Sequence, residues 1–239
     1  MKKLFTLLTL FLSISSGAWA IEQDTDGYYL IGSVQDWQNF AALVETTPTA
    51  NAKMTADVDL GDDQTAIGAG SVPYQGSFDG QGHTLTVNYD KYVDSWAIAP
   101  FGQVKNASIQ NLHVAGRIIQ RKCGAGGVAG RIMGNLTIKK CWVSAYMYVY
   151  GSGDAQGTIG GIASYCDETG VNNSSVLIED CIFSGQIATG IHSGSIMSHV
   201  NGYNGNSAII RNCLAMGTYV SSSGSTGTFI RVGVQGSPY

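Results

Sequence analysis

The line of sequence that decides the fold reads Thr137-Ile138-Lys139-Lys140-Cys141-Trp142-Val143-Ser144-Ala145-Tyr146-Met147, and it occurs four times. The other three copies begin at Ser108, Leu177 and Ile209. Aligning the copies on their leading isoleucine gives spacings of 29, 40 and 32 residues, between Ile109, Ile138, Ile178 and Ile210. Self-similarity with a period of roughly 20 to 50 residues is typical of a solenoid, in which each copy buries its apolar face against the next.

Apolar residues fall at every second position in the latter part of each copy, as in Cys141, Val143, Ala145 and Met147. This alternation predicts a strand with one buried face. The leading isoleucine breaks the alternation, which predicts a corner where the chain turns onto a new sheet. The corner is polar in every copy: Gln110-Asn111, Lys139-Lys140, Glu179-Asp180 and Arg211-Asn212. Because opposite charges alternate with amides at Asn111, Lys140, Asp180 and Asn212, we expect that column to form a satisfied surface ladder.

Stacking the copies gives three inward columns of like residues, the third of which is always small. Such rungs are how a parallel β-helix fills its narrow interior, and small residues indicate little room or a bend. The columns are Leu112, Cys141, Cys181, Cys213; Val114, Val143, Phe183, Ala215; and Gly116, Ala145, Gly185, Gly217. A glycine-rich element recurs between the copies, as in Gly126-Gly127-Val128-Ala129-Gly130, and predicts a further short strand after a tight corner.

Residues 1–20 have the pattern of a secretory signal peptide. Lys2 and Lys3 precede an apolar run from Leu4 to Ile14, and Ala18-Trp19-Ala20 has the small-x-small form of a cleavage site. No later apolar run approaches the length of a membrane-spanning helix. The sequence therefore predicts an exported chain, secreted or at the outer cell surface, with the periplasm as a further location.

Charge and composition argue against nucleic acid as a partner. Removing Lys2 and Lys3 from the 13 basic residues leaves 11 against 17 acidic residues, a net charge of −6. The basic residues form no cluster beyond two adjacent pairs, whereas nucleic-acid-binding domains carry basic patches. The high apolar fraction, 44%, argues against disorder.

The five cysteines allow two interpretations. An exported chain favours disulfides, and a disulfide within the column of Cys141, Cys181 and Cys213 is geometrically conceivable. The odd number of cysteines and the shared column favour a buried ladder of small hydrophobic side chains. Cys123 and Cys166 fall outside the repeat and are expected to be exposed. No CxxC pair or His-Cys cluster predicts a metal site, and no cofactor is predicted.

A short helix is predicted over residues 36–45. Trp37, Phe40, Ala41 and Val44 follow helical spacing, and Ser33 or Asp36 is expected to cap the first turn. A solenoid needs a cap over its exposed end, and this helix is assigned that role. A membrane-binding or partner-binding helix is the alternative.

The sequence offers no catalytic constellation. Asp79 and His83 stand close together, but the glycine-rich stretch from Gly76 to Gly82 favours a tight corner held by Asp79, with His83 opening the next strand. Polysaccharide-cleaving β-helix enzymes need carboxylates that converge on one outward face, and no acidic column recurs here. No nucleophile elbow, phosphate loop or metal signature is present.

The chain resembles exported bacterial surface proteins that carry GLUG-motif repeats, which are similar to right-handed pectate-lyase-like β-helices. The resemblance covers roughly residues 28 to 233, although Ala99-Pro100-Phe101-Gly102 and Gly127-Val128-Ala129-Gly130 depart from the glycine-leucine-x-glycine pattern. It implies a β-helix fold and an adhesin-like role. It is carried by Asp36-Trp37 with Phe40, Asp57-Val58-Asp59-Leu60, Ala66-Ile67-Gly68, the stretch from Tyr74 to Leu85, Phe101-Gly102, and Ile109 with Asn111-Leu112.

The outward columns provide the candidate site. The column before Val143 holds His113, Trp142, Ile182 and Leu214, and two of the outward columns are largely apolar. An apolar stripe on a solenoid exterior indicates that something covers it: a loop or the N-terminal segment, a partner or second copy, or a glycan stacked on the aromatic rings. The predicted binding residues are Trp142, Tyr146, Tyr148, Tyr150, Ile182 and Leu214.

The sequence thus predicts a single-domain, right-handed parallel β-helix over residues 21–239, with its clearest repeats over 99–232 and a helical N-terminal cap. The predicted function is non-enzymatic, adhesin-like binding of a glycan or protein at the cell exterior. The alternatives are a carbohydrate-active β-helix enzyme, a lyase or hydrolase, and a structural module of a surface assembly.

Overall fold

The computed structural model describes residues 21–91, 98–121, 124–150, 158–166, 173–189, 192–201, 205–221, 226–227 and 230–233. The predicted signal peptide, residues 1–20, and Cys123 lie outside these ranges. The side chain of Cys166 is also outside the description, so its predicted exposure stays a prediction.

The described chain consists of one helix and 25 short strands. The helix is α1 (Val34–Val44). The strands before the clearest repeats are β1 (Tyr29–Ile31), β2 (Ala52–Met54), β3 (Val58–Asp59), β4 (Ser77–Asp79) and β5 (Thr84–Lys91). The repeats comprise β6 (Phe101–Val104), β7 (Ala107–Gln110), β8 (His113–Gln120), β9 (Ala125–Gly126), β10 (Ala129–Ile132), β11 (Leu136–Lys139), β12 (Trp142–Val143), β13 (Tyr146–Val149), β14 (Thr158–Gly160), β15 (Ala163–Cys166), β16 (Ser175–Glu179), β17 (Ile182–Phe183), β18 (Gln186–Thr189), β19 (His192–Gly194), β20 (Met197–Asn201), β21 (Ser207–Arg211), β22 (Leu214–Ala215), β23 (Thr218–Ser221), β24 (Thr226–Gly227) and β25 (Ile230–Gly233).

The strands pair in parallel with the preceding and following turns of a solenoid. Sheet A has the order β1-β2-β4-β7-β11-β16-β21, and sheet C has the order β6-β10-β15-β20-β25. Sheet B contains β3, β5, β8, β12, β13, β17, β18, β22 and β23, and the small sheet D contains β9, β14, β19 and β24. One turn therefore visits sheets D, C, A and B in succession. The molecule is an all-β parallel solenoid of about four turns with one short helix, which confirms the predicted fold class.

The predicted repeat alignment is the observed strand register. Ile138 pairs with Ile109 on one side and with Ile178 on the other, and Ile178 pairs with Ile210. Ile109, Ile138 and Ile178 are fully buried, so the column fills the interior. Because each turn repeats the same inward residue types, the strands of sheet A from β7 to β21 stack without a change of register.

The cysteine column is a ladder of free thiols. Cys141 and Cys181 are buried and Cys213 is half-buried, and all three are free in the structure. Each thiol donates to the carbonyl two residues before it, at 3.4, 3.2 and 3.3 Å for the three in turn. Contact with the Cys141 thiol, followed by burial, raises the pKa of Cys181 to about 12. These three cysteines therefore form the ladder of small side chains that the sequence predicts, with Cys213 only half-buried.

The polar corner between sheets A and B is a column of left-handed residues. The φ angles of Asn111, Lys140, Asp180 and Asn212 lie between +52° and +56°. The prediction that this corner column forms the charge ladder is wrong. The ion pairs lie one residue earlier in each turn, where Glu179 bonds Lys139 at 2.9 Å and Arg211 at 2.5 Å. The reason is geometric, because residues 139, 179 and 211 still lie on the outer face of sheet A whereas the next residue has entered the corner.

The small third column marks both a bend and a close approach. Gly116 has φ +95°, and a Cβ built there would lie 2.1 Å from the Val87 carbonyl oxygen. A Cβ on Gly185 would lie 2.1 Å from the Ala145 carbonyl oxygen. The column is small because the backbone of the preceding turn occupies the space of a side chain.

The helix caps the N-terminal end of the solenoid. It covers Val34–Val44 rather than residues 36–45, because Ser33 is the N-cap and its hydroxyl accepts from the Asp36 backbone N–H. Trp37 and Phe40 are fully buried. The Trp37 ring meets Phe78 and Phe101 edge-to-face, with both centroid distances at 6.0 Å. The predicted apolar side of the helix therefore closes the interior at this end.

A candidate binding face on sheet B

Three of the predicted site residues lie directly above one another on the outer face of sheet B. Trp142 pairs with His113 in the preceding turn and with Ile182 in the next, and Ile182 pairs with Leu214. Their inward neighbours Val143 and Phe183 are fully buried. The period-two pattern thus sends the column of His113, Trp142, Ile182 and Leu214 to the outside, as predicted.

The face presents an apolar surface, which we call the apolar patch: Trp142, Ile182, Leu214, Met216 and Val220. Their exposed fractions are 44%, 38%, 50%, 63% and 57%. Seven large apolar side chains of the described residues are exposed, and five of them belong to this patch. These side chains are exposed, so within the described ranges neither a loop nor the N-terminal segment covers the stripe.

Trp142 is held rigidly in this patch. Its indole stacks on the His113 ring at a centroid distance of 3.9 Å and an interplanar angle of 6°. The indole Nε1 donates to the Ser184 hydroxyl at 2.7 Å. One face of the indole is therefore occupied by the imidazole, and its polar atom is bonded within the protein. The exposed remainder of the indole is apolar and is held in a fixed orientation.

His113 is in turn fixed by hydroxyl groups from the turns on either side. Its Nδ1 lies 3.1 Å from the Thr84 hydroxyl, and its Nε2 lies 2.9 Å from the Ser144 hydroxyl. Burial lowers the pKa of His113, and the nearby carboxylate of Asp57 opposes that change. The neutral imidazole suits its stacked position, since one ring nitrogen donates and the other accepts.

A shallow groove of about 480 Å³ runs beside Trp142 at the corner between sheets A and B. It contains the exposed side chain of Lys140, whereas Asn111 donates its amide to Asp79 at 3.0 Å. The groove is open and has both polar and apolar lining, in contrast with the patch next to it. Its lining consists of Gln81, Gly82, Asn111, Leu112, His113, Lys140 and Trp142.

The predicted tyrosines lie on the same turn as Trp142 but away from its column. Tyr146 pairs with Arg117 and Gln186, and Tyr148 pairs with Ile119 and Ala188; both tyrosines are half-buried. Tyr150 is exposed and follows the end of β13, where its ring meets Tyr148 edge-to-face at 4.4 Å.

The Tyr150 ring also lies under the guanidinium of Arg121, at 5.2 Å. Arg121 forms a two-point ion pair with Asp90, at 2.9 and 3.0 Å. The structure therefore places the tyrosines and the Trp142 column on one face, in two separate groups. The aliphatic end of the face, Met216 and Val220, is the part that the predicted site omits. The period-two alternation predicts that both of these residues point outward, but the predicted site consists mainly of aromatic residues.

The carboxylates near this face are bonded within the fold. The Asp57 carboxylate accepts from the Thr84 backbone N–H at 2.9 Å and lies 3.1 Å from His83 Nδ1, and these contacts lower its pKa. Burial alone would raise the pKa of Asp79, but hydrogen bonds from Asn111, Gln81 and Gln110 lower it. Asp79 and His83 thus have different partners, as the corner interpretation predicts. Within the described ranges, no group of three metal-ligating side chains comes together.

Comparison with known proteins adds little. No protein-family model and no curated protein matches the chain. A similar solved structure is from Bacteroides ovatus and is described as a "putative immunoglobulin A1 protease"; it is 13% identical over 83% of this chain and 86% of that chain, with a TM-score of 0.38. A likeness of that degree carries no argument about fold or activity. The resemblance to GLUG-motif proteins therefore stays a prediction. None of the helices in the described part of the chain is long and apolar enough to span a membrane.

Proposed function

We propose that this protein is an exported, adhesin-like binding protein that docks another protein on the outer face of sheet B. The observation that carries the proposal is the column of Trp142, Ile182 and Leu214 within the apolar patch, because exposed apolar side chains stacked over three successive turns mark an interaction site. The rigid scaffold beneath the patch supports it as well. A preorganised surface loses little conformational entropy when a partner binds.

A protein partner fits the patch better than a glycan does. Sugar rings stack on open aromatic faces and bond neighbouring polar groups. Here one face of Trp142 is covered by His113, and four of the five patch residues are not aromatic. Ile182, Leu214, Met216 and Val220 offer no hydrogen bonds. They match the apolar core of a protein interface, which is surrounded by a polar rim.

A binding role is also better supported than catalysis. Glycoside hydrolysis needs two carboxyl groups facing each other across a substrate. On sheet B, Asp57 bonds Thr84 and His83, and Asp90 bonds Arg121. The contacts of Asp57 lower its pKa and so stabilise its ionised form, which disfavours the general-acid role that a hydrolase needs.

Two surface variants test the proposal. The double variant Leu214→Ser/Met216→Ser removes the centre of the patch, and Ile209→Ser removes a comparably exposed isoleucine from the outer face of sheet A. Binding to a panel of purified extracellular matrix proteins and mucins is measured by surface plasmon resonance, with a glycan array in parallel. We expect the wild type to bind a protein of the panel, the double variant to bind it at least about tenfold more weakly, and Ile209→Ser to bind it normally.

Two results would overturn the proposal. One is equal binding by the wild type and the double variant. The other is binding confined to the glycan array and abolished by Trp142→Ser, which would assign this face to carbohydrate instead.

A further inference from the structure

The groove beside Trp142 lies at the corner between sheets A and B, which the structure describes in every turn. The second, third and fourth of the segments that join these sheets line the groove. Its walls therefore lie wholly within the described ranges. The joining segments are 55–57, 80–83, 111–112, 140–141, 180–181 and 212–213.

Lys140 differs from the charged side chains around it, because among the described residues it has no ionic partner. Lys139 bonds Glu179 at 2.9 Å, and the Asp79 carboxylate accepts two side-chain amide hydrogen bonds, at 2.8 and 3.0 Å. Asp180 follows Lys140 in the corner column but does not line the groove. The groove thus presents one unpaired positive charge, and none of its lining residues carries a carboxylate.

The backbone of Lys140 has a conformation that lysine adopts at a cost. Its φ angle is +52°, in the left-handed region that Asn111 and Asn212 share. Asparagine tolerates this region because its short polar side chain can bond the local backbone, and lysine lacks that means of compensation. Folding alone therefore favours asparagine here, and what lysine adds is a positive charge beside Trp142. Strain of this kind at an exposed position points to a role other than folding.

We propose that Lys140 binds a carboxylate of the protein partner, the side chain of an aspartate or glutamate that is flanked by apolar residues. This role rests on the proposed function, because Trp142 belongs both to the groove and to the apolar patch. A partner seated on the patch extends its rim over the ammonium group of Lys140. Charged contacts at the rim of an interface determine which partner binds and how fast it associates.

The charges of the chain favour a single carboxylate over a polyanion. Without Lys2 and Lys3, 11 basic residues stand against 17 acidic ones, so the net charge is −6 and repels a strongly acidic partner. The attraction of Lys140 is local, since charges are screened beyond about 10 Å at moderate ionic strength. A polyanionic glycan would also bring further negative charges close to Asp180, which is exposed one turn beyond Lys140. One acidic side chain avoids that repulsion.

The test selects a phage-displayed library of random dodecapeptides on the immobilised, purified chain. We expect the selected peptides to carry aspartate or glutamate next to an apolar residue at least about threefold more often than the unselected library does. Selection on Lys140→Glu should instead enrich lysine and arginine, because the charge in the groove is reversed.

A neutral variant and a matched control measure the contribution of the ammonium group. Lys140→Asn should bind the peptides selected on the wild type at least about fivefold more weakly. Lys105→Asn removes an exposed lysine from the segment between β6 and β7, at a different corner, and should bind them normally. Asparagine suits the left-handed backbone at position 140, so the first variant should fold at least as stably as the wild type. Weaker binding without a loss of stability is a result that a purely structural lysine would not give.

Failure of this proposal and failure of the proposed function give different results. If Leu214→Ser/Met216→Ser loses binding to a protein of the panel and Lys140→Asn binds it normally, the patch stands and the role of Lys140 is overturned. If the double variant binds normally and Lys140→Asn loses peptide binding, the proposed function falls and the carboxylate site is supported on its own. A library that yields no binders, binders without an excess of acidic residues, or binding confined to acidic glycans would each overturn the proposal.

Discussion

The outer faces of sheets A and B differ in how their side chains are satisfied. On sheet A, outward side chains bond their counterparts in neighbouring turns: Gln110 donates to Asp79 at 2.8 Å, and Glu179 joins Lys139 to Arg211. On sheet B, such contacts continue from Thr84 to Ser184 and then give way to Ile182, Leu214 and Met216, which are exposed. In a solenoid, polar side chains on an outer face can form hydrogen bonds and ion pairs with the equivalent side chains of neighbouring turns. The face that departs from this pattern is therefore where a partner is expected.

The largest effect is expected from the buried side of β17. Phe183 is fully buried and its ring lies against the backbones of Gly161 and Gly217, whereas the preceding residue, Ile182, points outward. Phe183→Ala should lower the free energy of unfolding by about 3 to 5 kcal/mol. Ile182→Ala should change it by less than about 0.5 kcal/mol. Urea denaturation of both variants measures the difference, and similar losses would show that the strand does not separate an inner from an outer side.

The ion ladder of sheet A should give a smaller, pH-dependent effect. The hydrogen bond from Lys139, followed by the one from Arg211, lowers the pKa of Glu179 below its ordinary value of 4.5. The stabilisation is therefore complete above that ordinary value and is lost as the pH falls through the lowered one. Glu179→Gln should melt below the wild type at pH 7, and the gap should close in acid. A gap that is constant with pH would contradict this.

The corner between the two sheets should respond more weakly still. Lys140 has φ +52°, in a column where Asn111 and Asn212 adopt the same conformation. Asparagine tolerates the left-handed region better than lysine does, so Lys140→Asn should stabilise the protein by about 0.5 to 1 kcal/mol. Asn212→Lys should destabilise it by a similar amount. Denaturant midpoints of the pair decide the matter, and changes of the same sign in both variants would show that backbone strain at this corner is not the cause.

The smallest effect on stability is expected from the patch itself. Leu214→Ser/Met216→Ser and Ile209→Ser both replace exposed side chains, and each should leave the free energy of unfolding within about 0.5 kcal/mol of the wild type. Equal stability makes their expected difference in partner binding interpretable. A marked loss of stability in the double variant alone would mean that the patch packs against the protein's own chain.

The repeats predicted the stacking well because one rung copies the next. Ile109, Ile138 and Ile178 pair as aligned, and the inward positions of Trp37 and Phe40 on α1 follow from helical spacing. The position of the ion pairs did not follow, since it depends on which residue turns the corner. The left-handed φ of Asp180 takes that residue off the sheet and leaves Glu179 in the ladder.

The sequence predicts which residues of the site share an outward column, but it does not predict which side chains contact them. Alternation alone places Trp142, Ile182 and Leu214 on one outward line. The stacking of His113 on Trp142 and the half-burial of Tyr146 depend on side-chain rotamers and on neighbouring turns. A one-dimensional pattern does not contain that information.

The most direct test of the exposed apolar face is hydroxyl-radical footprinting of the purified chain at low concentration, read by mass spectrometry. The protein contains two internal comparisons: Met216 and Trp142 are exposed, whereas Met147 and Trp37 are fully buried. The structure predicts rapid oxidation of the first pair and slow oxidation of the second. Protection of Met216 and Trp142 to the level of Met147 and Trp37 would contradict the proposed binding face.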